Sequence, residues 1–200
     1  MHTAQAEIDA VAEQERAARL AIGAAAHGAD AAASQRQFLV FALGAEAYAA
    51  PIDAVREILE VPALTRVPLM PRFVRGVINL RGAVVPVLDL ASRLELASTP
   101  IGRRTCVVVV EVEAGEDGDA SAASSGARPQ VLGVLVDTVH EVIDIAPTQI
   151  EPAPAVGARI DPQFIAGMAK VGGRFLVVLD LGRALAQREL ARLIVGDDAR

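Results

Sequence analysis

The chain has 200 residues, of which 52% are hydrophobic, enough to build one large domain or two small ones around a real core. Aromatic residues make up only 3% and tryptophan is absent, so that core must be aliphatic. A single cysteine excludes an internal disulfide and a cysteine-based metal site, and a net charge of −6 argues against nucleic acid as a partner.

Residues 1–35 are predicted to form an alanine-rich tail, partly helical or disordered. The first 34 residues contain 14 alanines and carry a net charge of −3, and their apolar positions form no continuous stripe at helical spacing. No apolar run approaches the ~20 residues of a membrane-spanning helix, and the N-terminus lacks a basic region followed by a hydrophobic block. We therefore expect a cytoplasmic protein without direct membrane insertion.

Ordered structure is predicted to begin near Gln37. Residues 38–43 and 48–50 are expected to be strands joined by a turn at Gly44. Residues 52–59 could form a short helix, although their β-branched residues oppose it. Residues 84–90 are expected to be another strand, which should be bulged or lie at a sheet edge at Pro86, because proline cannot donate to a ladder.

The second part of the chain opens with a predicted hairpin. Residues 105–112 and 131–136 are expected to be its strands, separated by a flexible acidic loop at 113–129 that is rich in Gly, Ala, Ser and Asp. Residues 183–195 are predicted to form a C-terminal helix, and 196–200 a short tail.

An internal repeat is the most informative feature of the sequence. Residues 73–90 align without gaps on 164–181, with seven identities in eighteen. A second block, 52–59, aligns on 136–143, and the offset between the two alignments requires a connection seven residues longer somewhere in 144–161. Two blocks in the same order indicate two structurally similar halves.

Each half contains about five strand-like runs, few helical segments and tight glycine turns. Five short antiparallel strands in roughly 70 residues favour a small closed barrel, because closure removes the exposed sheet edges. The predicted fold class is therefore all-β with a few short helices. Asp89 and Asp180 recur at equivalent repeat positions, as do Asp53 and Asp137, which favours turn or cap roles over acid–base chemistry.

The sequence contains few residues in patterns typical of an enzyme active site. With only His2, His27 and His140, no catalytic triad or metal cluster can be assembled convincingly. Cys106 lies in an apolar strand and is expected to be a small core residue. The sequence contains no common phosphate-binding glycine loop, so no cofactor is predicted.

Several motifs carry a family resemblance. Residues 38–44 read FLVFALG and are followed by Tyr48, residues 55–58 read VREI, and residues 73–90 read FVRGVINLRGAVVPVLDL. Over roughly residues 36–195 the chain resembles the CheW-type chemotaxis coupling proteins. The resemblance implies two intertwined five-stranded SH3-like β-barrels. It also implies a non-enzymatic adaptor that joins the tip of a methyl-accepting chemoreceptor to the regulatory domain of a histidine autokinase.

The same resemblance implies a receptor-binding surface, with the residues Val55, Glu57, Arg81, Gly133 and Val142. The repeat gives Glu57 a counterpart in Glu141 but gives Arg81 none, because residue 172 is glycine. Arg81 is therefore less expected to be a requirement of the barrel itself. The simpler interpretation is a surface ion pair between Glu57 and Arg81, and both interpretations can hold. For Gly133 and Val142 the simpler interpretation, plain barrel core, is favoured over a contact role.

Three alternatives remain open. The chain could be a coupling variant of a non-flagellar chemosensory pathway that serves pili, biofilm or development. It could instead be an enzyme domain with a small-molecule pocket between the barrels, although it lacks a convergent set of catalytic groups. A nucleic-acid-binding small barrel is opposed by the charge balance and the scarcity of aromatic residues.

Overall fold

The computed structural model describes residues 35–112, 129–153 and 159–185, and these ranges are almost entirely strand and turn. The elements in chain order are β1 (Arg36–Leu43), β2 (Glu46–Pro51), β3 (Val55–Glu60), β4 (Val74–Leu80), β5 (Ala83–Asp89), α1 (Leu90–Arg93), β6 (Cys106–Val112), β7 (Gln130–Val136), β8 (Thr138–Ile145), β9 (Ile150–Glu151), β10 (Ile165–Val171), β11 (Arg174–Leu179) and α2 (Leu181–Ala184). Within these ranges no helix is long and apolar enough to cross a membrane.

The strands form two sheets that exchange their opening hairpins. One sheet has the order β3-β6-β7-β5-β4, and the other has the order β8-β1-β2-β11-β10-β9. In the repeat, β6 and β7 correspond to β1 and β2, β8 to β3, and β10 and β11 to β4 and β5. One barrel therefore combines the β6–β7 hairpin with three strands of the first half, and the other combines the β1–β2 hairpin with four strands of the second half, including the two-residue β9. This arrangement confirms the predicted pair of intertwined barrels.

The pairing registers of the two sheets agree residue by residue. The parallel contact of Val87 with Gly133 recurs as Val178 with Ala49. The antiparallel pair of β4 and β5 shifts register between Val74 and Gly76, and its repeat shifts between Ile165 and Gly167. A feature as local as a β-bulge is thus conserved between the halves, which supports a true structural repeat.

Strand β6 is buried on both faces because it lies between the core that the two barrels share and the interior of its own barrel. Along β6, Cys106, Val108 and Val110 belong to the cluster between the barrels. Val107 and Val109 alternate with them and belong to the interior of the barrel formed by β3 to β7. Burial of both faces explains the continuous apolar runs that the sequence shows in place of an alternating pattern.

The possible helix at 52–59 is wrong except for its first turn. Residues Ile52–Ala54 form one 3-10 turn, and β3 begins at Val55 and pairs with β6. The register of β3 shifts between Val55 and Glu57, so that the extra residue leaves Val55 and Ile58 on the same buried face. Buried positions three residues apart imitate a helical period, which is why the sequence was ambiguous here.

The expectation for Pro86 is also corrected. Strand β5 is not an edge strand, and the bulge lies in β4 rather than at Pro86. Pro86 is opposite Val77, whose own N–H and C=O bond to Thr65 on the other side of β4. Pro86 is therefore at a position that does not donate to β4, and the ladder with β7 begins only at Val87.

Several predicted segments lie partly or wholly outside the described residues: the tail at 1–35, the acidic loop at 113–129, the C-terminal helix at 183–195 and the end at 196–200. The longer connection of the second half can be located more closely. Thr65 bridges Val77, and the equivalent Met168 pairs with Glu151. The numbering offset between equivalent residues of the two halves therefore increases by two within 144–151 and by five within 152–161. Together these increases account for the seven extra residues.

Candidate partner-binding surface

Glu57 and Arg81, both predicted as site residues, form an ion pair at the surface. The Nη2 atom of Arg81 donates to the Oε2 atom of Glu57 at 2.9 Å, and the Arg81 side chain is 80% exposed. Glu57 extends from β3 and Arg81 from the turn between β4 and β5, so the pair connects the two outer strands of this barrel. An exposed pair of this kind stabilises the fold by roughly 0–1 kcal/mol.

The backbone at Arg81 is unusual for an arginine. Arg81 has φ of 53° and Gly82 has φ of 90°, so both central residues of this two-residue turn are in the left-handed region. The equivalent turn in the second barrel has Gly172 and Gly173 with nearly the same angles. Because two-residue hairpin turns of this type favour glycine or asparagine, the first barrel retains an arginine where the fold favours glycine.

The second barrel has an ion pair in the corresponding place. The Oε1 atom of Glu141 lies 3.6 Å from the Nη2 atom of Arg174, which follows the glycine turn instead of lying in it. Arg174 lies two positions after Gly172, the residue equivalent to Arg81, so the two arginines do not coincide in the repeat. The available signal was an arginine within two residues of the equivalent turn. The charge pair thus recurs, whereas the position of its arginine differs.

Val55 and Glu57 lie on opposite faces of β3. Val55 is opposite Val110 and faces the core between the barrels, where it is 5% exposed. Glu57 is opposite Val109, whose side chain faces the barrel interior, and it reaches solvent at the barrel rim. The bulge at Arg56 causes this separation. The structure therefore brings Glu57 together with Arg81, but not with the side chain of Val55.

Gly133 and Val142 are also away from the ion pair. A Cβ atom at Gly133 would lie 2.9 Å from Val107 Cγ1 and 3.0 Å from Val87 Cγ2, so this glycine allows β7 to pack closely inside its barrel. Val142 lies in β8 of the other barrel and packs, partly buried, against the core between the barrels. Neither residue is fully exposed to a partner.

Asp89 and Asp180 have the cap roles predicted for them, whereas Asp53 caps no turn and Asp137 accepts a hydrogen bond from the N–H of Gly44. Asp89 accepts a hydrogen bond from the N–H of Ser92 at 3.1 Å, and Asp180 accepts one from the N–H of Arg183 at 3.0 Å. Asp89 is fully buried and also accepts from the hydroxyl of Ser98 at 2.6 Å. These bonds satisfy helix N-termini and fix the connection after α1, so the carboxylates are structural.

Metal-binding clusters and shifted titratable groups are the next features of the described residues to consider. Within 35–112, 129–153 and 159–185, no three His, Cys, Asp or Glu side chains cluster closely enough to hold a metal ion. In the described part of the chain one pKa is clearly shifted, that of Tyr48, whose hydroxyl donates to Glu46 at 2.9 Å. Burial raises the pKa of Tyr48 well above its usual range, and the Glu46 carboxylate adds to the shift. Tyr48 therefore stays neutral at physiological pH.

Comparison with known families gives a match over most of the chain. Residues 37–189 match the family model described as the CheW-like domain. A chemotaxis protein CheW from Klebsiella aerogenes is 31% identical over 156 residues, which cover 78% of this chain and 85% of that protein. The protein FrzA from Myxococcus xanthus is 31% identical over 139 residues, which cover 70% of this chain and 77% of FrzA.

A solved structure has the same fold. The crystal structure of the scaffolding protein TtCheW from Thermoanaerobacter tengcongensis superposes with a TM-score of 0.64 at 31% sequence identity. The match covers 79% of this chain and 92% of that structure.

Proposed function

This chain belongs to the CheW-like domain family, and on that premise we propose that it couples a methyl-accepting chemoreceptor to a histidine autokinase within a receptor array. Proteins of the family are scaffold adaptors of chemotaxis rather than enzymes. The proposal beyond family membership is the identity of the two partners that this chain joins, a chemoreceptor and a kinase. It requires one surface for the tip of the receptor and another for the regulatory domain of the kinase.

The observation that carries the proposal is the exposed arginine of the β4–β5 turn. The fold favours glycine at this position, as Gly172 of the second barrel illustrates, and the ion pair with Glu57 adds at most about 1 kcal/mol. A residue retained against the preference of its own turn has a role outside the barrel. We assign Arg81 and Glu57 as the direct contacts of the receptor.

The other three residues of the receptor surface have a supporting role in this proposal. Val55 and Val142 pack against the core between the barrels and fix strands β3 and β8, and Gly133 holds β7 close to its neighbours. Changes at these positions would move the surface rather than remove a contact. Their variants should therefore lose stability and receptor binding together, unlike variants of Arg81.

The decisive experiment reverses the charges of the pair separately and together. Arg81→Glu should abolish receptor binding in a pull-down while kinase binding persists, because a reversed interfacial charge is repelled by the partner. The double variant Glu57→Arg with Arg81→Glu restores the internal ion pair in the opposite sense. If the receptor contacts these side chains directly, the double variant should still fail to bind.

The matched control is Arg174→Glu, which breaks the corresponding pair of the second barrel. It should leave receptor binding intact. Circular dichroism checks folding of every variant. Normal receptor binding by Arg81→Glu, or full recovery in the double variant, would show that the pair only stabilises the barrel, and the assignment would fail.

A further inference from the structure

A buried cation lies against the core between the barrels. Arg93, the last residue of α1, is 8% exposed, and every other arginine or lysine of residues 35–112, 129–153 and 159–185 lies at least partly at the surface. Its Cζ atom lies 4.6 Å from the centre of the Phe164 ring and 5.9 Å from that of Phe73. Burial of a guanidinium is costly, and the faces of aromatic rings offset part of that cost. A leucine would fill such a space without this cost, so the arginine has a role beyond filling it.

The two rings that contact Arg93 come from equivalent positions of the two barrels. Phe73 aligns with Phe164 in the repeat. The carbonyl oxygen of each accepts a hydrogen bond from the aspartate that caps the short helix of its barrel, at 2.7 Å from the N–H of Asp89 and at 2.9 Å from the N–H of Asp180. Because the halves exchange their hairpins reciprocally, they are related by an approximate two-fold axis. A group that contacts two equivalent residues lies close to this axis.

The residue equivalent to Arg93 is small. Helices α1 and α2 occupy the same repeat positions, and their last residues are Arg93 and Ala184. Each is followed by a fully buried leucine, Leu94 or Leu185, so the two helices direct the same face toward the core. Side chains that are related by a two-fold axis and directed at it compete for one space. The arginine of the first barrel occupies this space, and the buried Ala184 leaves room for it.

We propose that Arg93 is a positioning residue that fixes the angle between the two barrels by packing between one equivalent ring from each. Aliphatic contacts form most of this core, and they are non-directional, so that packed elements can slide by about 1–2 Å. A planar guanidinium against two rings has a preferred geometry and restricts that sliding. Two partners that bind to different barrels would be held at the angle that Arg93 sets. This role is the same whichever partners bind.

The test measures the distance between the barrels of the full chain by electron paramagnetic resonance of two spin labels. Val84→Cys in β5 and Phe175→Cys in β11 provide the labelling sites, because these side chains are 72% and 64% exposed and occupy equivalent repeat positions. All variants also carry Cys106→Ala, which removes the buried native thiol. Relative to the labelled parent, Arg93→Ala should change the mean or the width of the distance distribution by about 2 Å or more.

A second variant moves the arginine to the other barrel. The double variant Arg93→Ala with Ala184→Arg directs the same guanidinium at the same two rings from α2 instead of α1. It should restore the distance distribution of the parent, because the position near the axis is shared by the two helices. An arginine that only stabilised α1 or its own barrel could not be replaced from the other helix, so this rescue separates positioning from a purely structural role.

The matched control is Arg183→Ala, which removes the exposed arginine beside Ala184 and its ion pair with Asp180. It should leave the distance distribution unchanged, and circular dichroism checks folding of every variant. An unchanged distribution in folded Arg93→Ala, an equal change in Arg183→Ala, or a double variant that does not regain the parent distribution would overturn the proposal. If Arg93→Ala does not fold, the double variant decides alone: it should fold with the parent distribution, and its failure to fold would equally overturn the proposal.

Discussion

Arg81 shows how one residue can oppose the local preference of its own fold. A non-glycine residue in the left-handed region costs roughly 1 kcal/mol or more, and the corresponding position of the other barrel is Gly172. Gly82 beside it has its N–H bonded to the Oδ1 atom of Asn79 at 2.9 Å, which holds the turn in this conformation. The backbone of this turn therefore favours glycine, and the reason for an arginine here must lie in its side chain.

This cost can be measured with two variants that both remove the ion pair. Arg81→Gly should unfold within about 1 kcal/mol of the parent, because relief of the left-handed strain offsets the lost pair and the added flexibility of the unfolded chain. Arg81→Val should be about 1–2 kcal/mol less stable than Arg81→Gly, because β-branched residues tolerate positive φ poorly. Urea unfolding measures the difference. Equal stabilities would show that the turn is not strained.

At the scale of elements, the spacing of strands β5, β6 and β7 depends on a glycine. Gly133 lies between Val107 of β6 and Val87 of β5, and an added methyl group would lie 2.9 Å and 3.0 Å from their side chains, closer than van der Waals contact. The resemblance places Gly133 on the receptor-binding surface, whereas its surroundings are those of a barrel interior. Its contribution to partner binding should therefore be indirect.

Gly133→Ala tests this by overpacking the barrel. The variant should be destabilised by roughly 1–3 kcal/mol, because Val107 and Val87 cannot both move away in a packed core. Adding Val107→Ala makes room, so the double variant should lose less stability than the sum of the single changes. Thermal unfolding of the three variants measures the coupling. Strict additivity would mean that Gly133 is not limited by Val107.

At the scale of the whole molecule, the two halves of the sequence are not the two barrels. The β1–β2 hairpin of the first half belongs to the barrel of β8, β10 and β11, and the β6–β7 hairpin of the second half belongs to the barrel of β3, β4 and β5. The parallel contacts of β2 with β11 and of β7 with β5 join each exchanged hairpin to its host. Neither half contains a complete sheet.

The exchange predicts how the chain responds to a cut between its halves. Fragments 1–102 and 103–200, divided after the exposed Gly102, should each be largely unfolded alone, because each lacks between two and four strands of both sheets. Mixed together, they should regain the circular dichroism spectrum of the intact chain. Cooperative unfolding of either fragment alone would be incompatible with intertwined barrels. The intact protein at equal concentration provides the reference spectrum.

Much of this architecture followed from the sequence by itself. Strands β1, β2, β5, β6 and β7 were predicted close to their observed bounds, because apolar runs bounded by glycine, proline and acidic segments are strong local signals. The alignment of 73–90 with 164–181 anticipated β4 and β5 as counterparts of β10 and β11. The aspartate caps followed from the same alignment, since a cap depends only on residues three positions away.

Only the tertiary structure shows which residues far apart in the chain contact each other. A repeat does not specify whether a hairpin packs with its own half or with the other, because both choices present the same apolar faces. The face of β3 on which Val55 lies depends on the bulge in that strand. The pairing of Glu141 with Arg174 depends on how strand β8 and the distant β10–β11 turn meet across the barrel. Local sequence determines strand, turn and cap, whereas register shifts and strand exchange are set by packing of the whole core.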